Sequence, residues 1–153
     1  MPDRAGERTV TDNDLIRFVD AQAQVYGQVV EELNAGRKRT NWMWFIFPQL
    51  LRLGRSPTAM KYGIKDVDQA KRYLADPVLG ERLRHCTKLM VGHEERSALD
   101  ILGSPDDLKF RSCLTLFHEA ASDEADKHLF GLALERFYKG EADIRTLELL
   151  RSE

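Results

Sequence analysis

The residues of this chain best suited to hold a ligand are cations beside aromatic side chains. Residues 37–56 read RKRTNWMWFIFPQLLRLGRS, so three cations run directly into a segment with two tryptophans. Arginine bonds both oxygens of a phosphate or carboxylate at once, and an indole ring can stack on a planar group. The pattern predicts a pocket for a small anionic, phosphate-bearing or nucleotide-like ligand. Its cations would be Arg37, Arg39 and Arg55, and its stacking wall Trp42 or Trp44.

Four further polar residues are candidates for the same pocket. Ser56 precedes Pro57, which is a typical helix start, and the free N–H groups of a helix start can bind an anion. The alternative is that Ser56 is only a capping residue. Hydrogen bonds to the ligand would come from Gln49, Tyr62 and Lys109.

Charge is distributed unevenly along the chain. Residues 33–65 contain seven cations and no aspartate or glutamate, whereas the whole chain has a net charge of −2. The asymmetry favours an anionic partner for this segment. The alternative is that these cations are solvated or pair with acidic faces of other helices. The negative total argues against a general nucleic-acid binder, which would be basic overall.

Signals for catalysis are weak. Asp106 and Asp107 are the candidate acid–base residues, although helix capping also explains them. The four histidines match no metal-ligand spacing, and no GxGxxG or GxxxxGK[ST] motif occurs, so we predict no metal and no cofactor. Whether the pocket also catalyses a reaction stays open.

The spacing of apolar residues predicts an all-α fold. We expect a compact bundle of about six to eight helices over residues 11–153, preceded by a mobile tail over residues 1–10. One continuous helix would run from about residue 12 to Leu33, and a later helix would bury Leu108, Cys113, Leu116 and Phe117. Four of the six residues 42–47 should also be buried.

Composition indicates a soluble cytoplasmic protein. The first ten residues are polar, and the longest apolar run, residues 42–47, is far short of the ~20 residues that span a membrane. The two cysteines, Cys86 and Cys113, suggest no disulfide framework and fit buried thiols in a reducing compartment.

Four segments, NWMWFIFPQL, GRS, DPVLGERL and GSPDDLKFRSCLTLF, are distinctive. From about residue 12 to residue 150 the chain resembles the family catalogued as domain of unknown function 1810, whose members are sometimes mislabelled calpastatin. The resemblance implies a compact all-helical domain and no established activity. Members often carry a histidine where Asn41 stands. If that histidine were a general base, this chain would lack it, whereas a hydrogen-bonding role would survive the change.

A non-enzymatic helical interaction module is the rival interpretation. Its positive face would bind an acidic protein partner, and the tryptophans would belong to the core. The two interpretations differ in shape, because a ligand needs a concave site with a partly exposed tryptophan, whereas a module needs a flat basic face.

Overall fold

The computed structural model describes residues 13–153, and this part of the chain is helical without a β-strand. Its α-helices are α1 (Ile16–Ala23), α2 (Tyr26–Ala35), α3 (Met43–Ile46), α4 (Pro57–Lys61), α5 (Val67–Ala75), α6 (Leu79–Val91), α7 (Ala98–Leu102), α8 (Asp106–Ala120), α9 (Glu124–Tyr138) and α10 (Ile144–Arg151). Short 3₁₀ turns occupy Asn13–Leu15 and Leu51–Leu53. The all-α prediction is confirmed, while the predicted tail over residues 1–10 lies outside the described residues.

The predicted number of helices was too low. Ten α-helices form within residues 13–153, where six to eight were expected. The expected first helix is divided into α1 and α2 at Val25, whose φ of −128° lies outside the helical range. The apolar stripe continues across this two-residue break (residues 24–25), so periodicity alone did not show it. The helices α3, α4 and α7 have only four or five residues, too few to produce a periodic pattern.

The helix boundaries follow the capping chemistry that the sequence indicates. The hydroxyl of Ser56 accepts a hydrogen bond from the N–H of Ala59, and Ser97 forms a reciprocal capping box with Asp100. Asp66, Asp123 and Asp143 cap α5, α9 and α10 through their carboxylates. Gly36 ends α2 with a φ of +79°, a conformation that favours glycine.

The core is built around α8, which packs against α5, α7, α9 and α10. Its predicted buried residues Cys113, Leu116 and Phe117 are inaccessible to solvent. Leu108 is a correction, because it lies in the first turn of α8 and is 58% exposed instead of buried. Leu108 instead lines the groove described below.

The aromatic segment enters the core as predicted, with four of its six residues buried. Trp42, Met43, Ile46 and Phe47 are almost fully enclosed, whereas Trp44 and Phe45 are half-buried. After this segment the chain pairs with itself through a single parallel bridge between Leu50 and Ile64. This pairing fixes the loop that leads to α4.

Candidate anion-binding site

A groove of about 820 Å³ lies between the chain around α4, the first two turns of α8 and the start of α10. One wall comes from the loop before α4 and from α4 itself, with Gln49, Arg55, Ser56 and Ala59. The opposite wall comes from α8 and α10. Residues far apart in sequence therefore meet here because α10 packs on α8.

Positive charge dominates the lining of the groove. Among the lining residues within 13–153, the cations are Arg55, Lys109, Arg111 and Arg145, and Asp143 is the one carboxylate. That carboxylate is already engaged, because its Oδ2 accepts hydrogen bonds from the N–H and the hydroxyl of Thr146, at 3.0 and 2.6 Å. The groove is therefore a region of positive potential whose negative group is occupied by helix capping.

The four cations differ in how firmly they are held. Arg111 donates to the carbonyl oxygens of Glu141 and Ala142 and lies over the ring of Tyr138, so its guanidinium is fixed. Within residues 13–153, no ion pair or hydrogen bond holds the guanidinium of Arg55 or Arg145. These two exposed side chains are free to reach an anion from opposite walls.

A narrow recess beside the groove contains the aromatic side chains. It is lined by Trp44, Phe47 and Tyr62, and its free volume is about 10 Å³. Gln49, Ala59 and Lys109 line both the recess and the groove. The side-chain amide of Gln49 has no hydrogen-bond partner in the described part of the chain and can therefore bind a ligand in either compartment.

Six of the nine ligand-binding residues predicted from the sequence line these two compartments. Gln49, Arg55, Ser56 and Lys109 lie in the groove, while Trp44 and Tyr62 line the recess. Arg37, Arg39 and Trp42 lie outside both linings. The two arginines are exposed, and Trp42 is only 1% exposed within the core.

The three residues outside the linings belong to a loop that is organised by a buried carboxylate. Glu32, on α2, is 2% exposed and accepts hydrogen bonds from the backbone N–H groups of Arg39 and Thr40 and from the indole N–H of Trp42. Burial alone raises the pKa of Glu32, but these bonds and those from the Thr40 hydroxyl and Gln28 lower it to about 2. Glu32 therefore stays ionised and holds the cationic loop against α2.

The two candidate acid–base residues also lie outside the groove lining. Asp106 forms an ion pair with Lys38, in which Oδ2 of Asp106 lies 3.1 Å from Nζ of Lys38. The other carboxylate oxygen, Oδ1, lies 3.9 Å from Nζ of Lys109. Asp107 is half-buried, and its Oδ1 makes no hydrogen bond in the described structure. Neither carboxylate makes a side-chain cap at the start of α8.

Sequence reasoning did not identify Arg111 and Arg145. Both lie outside the cationic segment 33–65, and each follows an acidic helix start that looks like ordinary capping. In the sequence, Arg111 is marked only by its proximity to Lys109, and Arg145 only by its proximity to Asp143, the cap of α10. Tertiary packing of α10 on α8 brings them together.

Metal and membrane signals are absent from residues 13–153. In this range no three histidine, cysteine or carboxylate side chains are placed to hold a metal ion. None of its helices has both the length and the apolar content that crossing a membrane requires. Cys86 and Cys113 are free and buried, and burial raises the pKa of the Cys86 thiol to about 12.

Comparisons with known proteins identify relatives but no activity. The profile of the family described as "Protein of unknown function (DUF1810)" matches residues 12–150. The crystal structure of a conserved hypothetical protein from Mycobacterium tuberculosis is similar, with 51% sequence identity and a TM-score of 0.86. The match covers 90% of this chain and 96% of the mycobacterial chain. Among curated proteins, none matches this chain.

Proposed function

This chain belongs to the family described as protein of unknown function (DUF1810), and we propose that it binds a small phosphate-bearing anion in the groove between α4, α8 and α10. The observation that carries the proposal is the imbalance of charge in the lining. In the described part of the chain, four cations face one carboxylate, and that carboxylate is occupied by capping α10. An anion is the ligand chemistry that this lining stabilises most.

The donors of the groove suit a phosphate better than a carboxylate. Arg55 and Arg145 offer unengaged guanidiniums, and Lys109 adds an ammonium between them and the recess. A phosphate group presents several acceptor oxygens, so it can bond donors on both walls at once. The amide of Gln49 can add a neutral hydrogen bond from the same side as Arg55.

The adjoining recess supports a nucleotide-like ligand within this class. Trp44 is half-buried beside Tyr62, and its ring can stack on a planar group whose phosphate lies in the groove. The recess is too narrow for a ring as it stands, so binding requires the Trp44 side chain to move. We assign no reaction to the site, because the candidate acid–base residues Asp106 and Asp107 lie outside its lining and Asp143 is engaged in capping α10.

A thermal-shift titration tests the proposal. The panel is inorganic phosphate, pyrophosphate, adenosine monophosphate and the neutral nucleoside adenosine. Each is tested at low ionic strength, where charge interactions are least screened. A ligand at 100 times its Kd stabilises the protein by about 2.7 kcal/mol, which raises the melting temperature of a chain of this size by about 5–10 °C. We expect shifts with the phosphates and none with adenosine. A flat response to every phosphate would contradict the proposal.

A second function, docking of an acidic protein segment, is favoured by the exposed apolar residues at the groove. Leu108 lines it and is 58% exposed, and Ile144, between Asp143 and Arg145, is 69% exposed. Exposed apolar side chains beside cations suit a partner that is both acidic and apolar. These apolar side chains would contribute little to the binding of a small phosphate.

The double variant Leu108→Ser/Ile144→Ser separates the two functions. Both side chains are mostly exposed, so the substitutions should change the free energy of unfolding by less than about 0.5 kcal/mol. If the ligand is a small phosphate, its affinity should stay within about twofold of wild type, since charge interactions dominate. Unchanged phosphate binding with loss of an acidic peptide's binding would favour the docking function.

A further inference from the structure

We infer that Lys38 is a positioning residue of the groove, which keeps the charge of Lys109 available to the ligand by neutralising Asp106. The inference rests on the proposed function, because it assumes that the groove binds an anion. Lys38 itself lies outside both the groove and the recess. Its effect on binding is therefore indirect and passes through Asp106.

The geometry places one carboxylate between two ammonium groups. Asp106 and Lys109 are neighbours on one face of α8, three residues apart, with 3.9 Å between Oδ1 and Nζ. Lys38 approaches the other oxygen of Asp106 at 3.1 Å. The pair with Lys38 is the closer and more enclosed one, since the side chains of Lys38 and Asp106 are 10% and 19% exposed. The carboxylate is therefore committed to Lys38 rather than to Lys109.

Besides its ion pair with Asp106, Lys38 is held in this position by two contacts. Its backbone N–H donates to the carbonyl oxygen of Ile101 at 2.7 Å. Its ammonium lies over the ring of Trp42, 5.2 Å from the ring centre, and Glu32 fixes that ring through the indole N–H. The tryptophan nearest the three cations thus serves as a platform for Lys38.

The consequence concerns the one cation that lines both compartments. Lys109 borders the groove and the recess, so its charge acts on a ligand in either. Without Lys38, Lys109 is the only ion-pair partner left to the half-buried carboxylate of Asp106 within residues 13–153. Pairing would draw the ammonium toward the start of α8 and cancel much of its attraction for an anion.

A double-mutant cycle tests the inference, with inorganic pyrophosphate as the probe and its Kd measured by calorimetry at low ionic strength. We expect Lys38→Met to weaken pyrophosphate binding by about fivefold, which is the upper range for one surface charge interaction such as that between Asp106 and Lys109. Asp106→Asn should tighten binding slightly, and Lys38→Arg should bind like wild type. In the Asp106→Asn background, Lys38→Met should have no further effect, because the carboxylate through which Lys38 acts is gone.

The outcomes distinguish the inference from the proposed function. Wild-type protein that does not bind pyrophosphate overturns both. Binding that Lys38→Met leaves unchanged overturns the inference alone, as does an equal loss in the presence and absence of Asp106. If Lys38→Met fails to fold, Lys38→Gln takes its place in the cycle, and the same outcomes decide the inference.

Discussion

The indole Nε1–H of Trp42 donates a hydrogen bond of 2.8 Å to Oε1 of Glu32, and both side chains are almost fully buried. The same oxygen accepts the backbone N–H groups of Arg39 and Thr40. One carboxylate therefore fixes the buried end of the aromatic segment and the path of the cationic loop that precedes it. A single buried anion thus organises both the backbone of the cationic loop and the first of the two tryptophans.

Stability should fall at acid pH because of Glu32. Its pKa is lowered from 4.5 to about 2 in the folded protein, so the carboxylate contributes fully above its unfolded pKa. That contribution, up to about 3 kcal/mol, should be lost as the pH falls from about 4.5 through about 2. Urea unfolding followed by circular dichroism at a series of pH values measures it.

The variant Glu32→Gln identifies the source of this pH dependence. Replacing the carboxylate with an amide should lower the free energy of unfolding at neutral pH by about 2–4 kcal/mol, because several donors lose a charged acceptor. It should also remove most of the fall in the free energy of unfolding between about pH 4.5 and pH 2. The exposed neighbour Glu31 provides the control, and Glu31→Gln should leave both unchanged. If the free energy of unfolding of Glu32→Gln protein still falls by as much at acid pH, other carboxylates cause the fall.

Local signals in the sequence predicted the helices better than they predicted the contacts between the helices. A capping residue such as Ser56 or Asp143 bonds a backbone N–H group within one helical turn, so the cap can be recognised from the sequence alone. The break at Val25 leaves the apolar stripe intact and has no such signal. Leu108 was assigned to the core because it fits the helical spacing, but spacing does not reveal that this turn faces a groove.

The same limit explains which lining residues of the groove could be predicted from the sequence. Gln49, Arg55 and Ser56 are close in sequence, so their common wall could be predicted from one segment. Arg145 reaches the groove only because α10 folds back on α8, which is a long-range contact. Trp42 was placed beside a ligand because cations precede it, but the anion that it bonds is Glu32 of the protein itself.

Gly63 should be required for the loop that carries Gln49 and Arg55. A Cβ at this position would lie 2.5 Å from Cα of Leu51, where the backbone N–H of Leu51 bonds the carbonyl of Ile64. Gly63→Ala should therefore destabilise the protein by about 1–3 kcal/mol, because the backbone would have to shift. Thermal unfolding measures the change.

Gly27, in α2, is the matched control for this substitution. A Cβ there meets nothing within 4 Å, so Gly27→Ala should stabilise the protein by about 0.5–1 kcal/mol through helix propensity. Equal effects of the two substitutions would show that contact with Leu51 is not the reason for glycine at position 63.

The unengaged arginines of the groove should control anion affinity. Arg55→Gln and Arg145→Gln should each weaken pyrophosphate binding by about fivefold to tenfold, since each removes a charged donor to the phosphate. Melting temperatures should change little, because neither guanidinium bonds another group in residues 13–153. Calorimetric titration measures the affinities.

Arg39→Gln is the control, and it also tests the prediction from the sequence that Arg39 holds the anion. Arg39 is exposed, lies outside the groove lining and contributes its backbone N–H to Glu32, which glutamine retains. We expect pyrophosphate to bind this variant as it binds wild type. If Arg39→Gln weakens binding as much as Arg145→Gln, the anion lies on the cationic loop and not in the groove.

The two tryptophans should separate ligand binding from stability, and each single variant leaves one indole as a fluorescent reporter. Trp44 lines the recess, so adenosine monophosphate should change the fluorescence of Trp42→Phe protein, in which Trp44 remains. Trp44→Phe protein should give little response, because Trp42 is enclosed in the core. Trp42→Phe should instead lower the free energy of unfolding by about 1–3 kcal/mol, since Glu32 loses the indole donor. A response that persists only in Trp44→Phe protein would place the ligand on the opposite side of the aromatic segment.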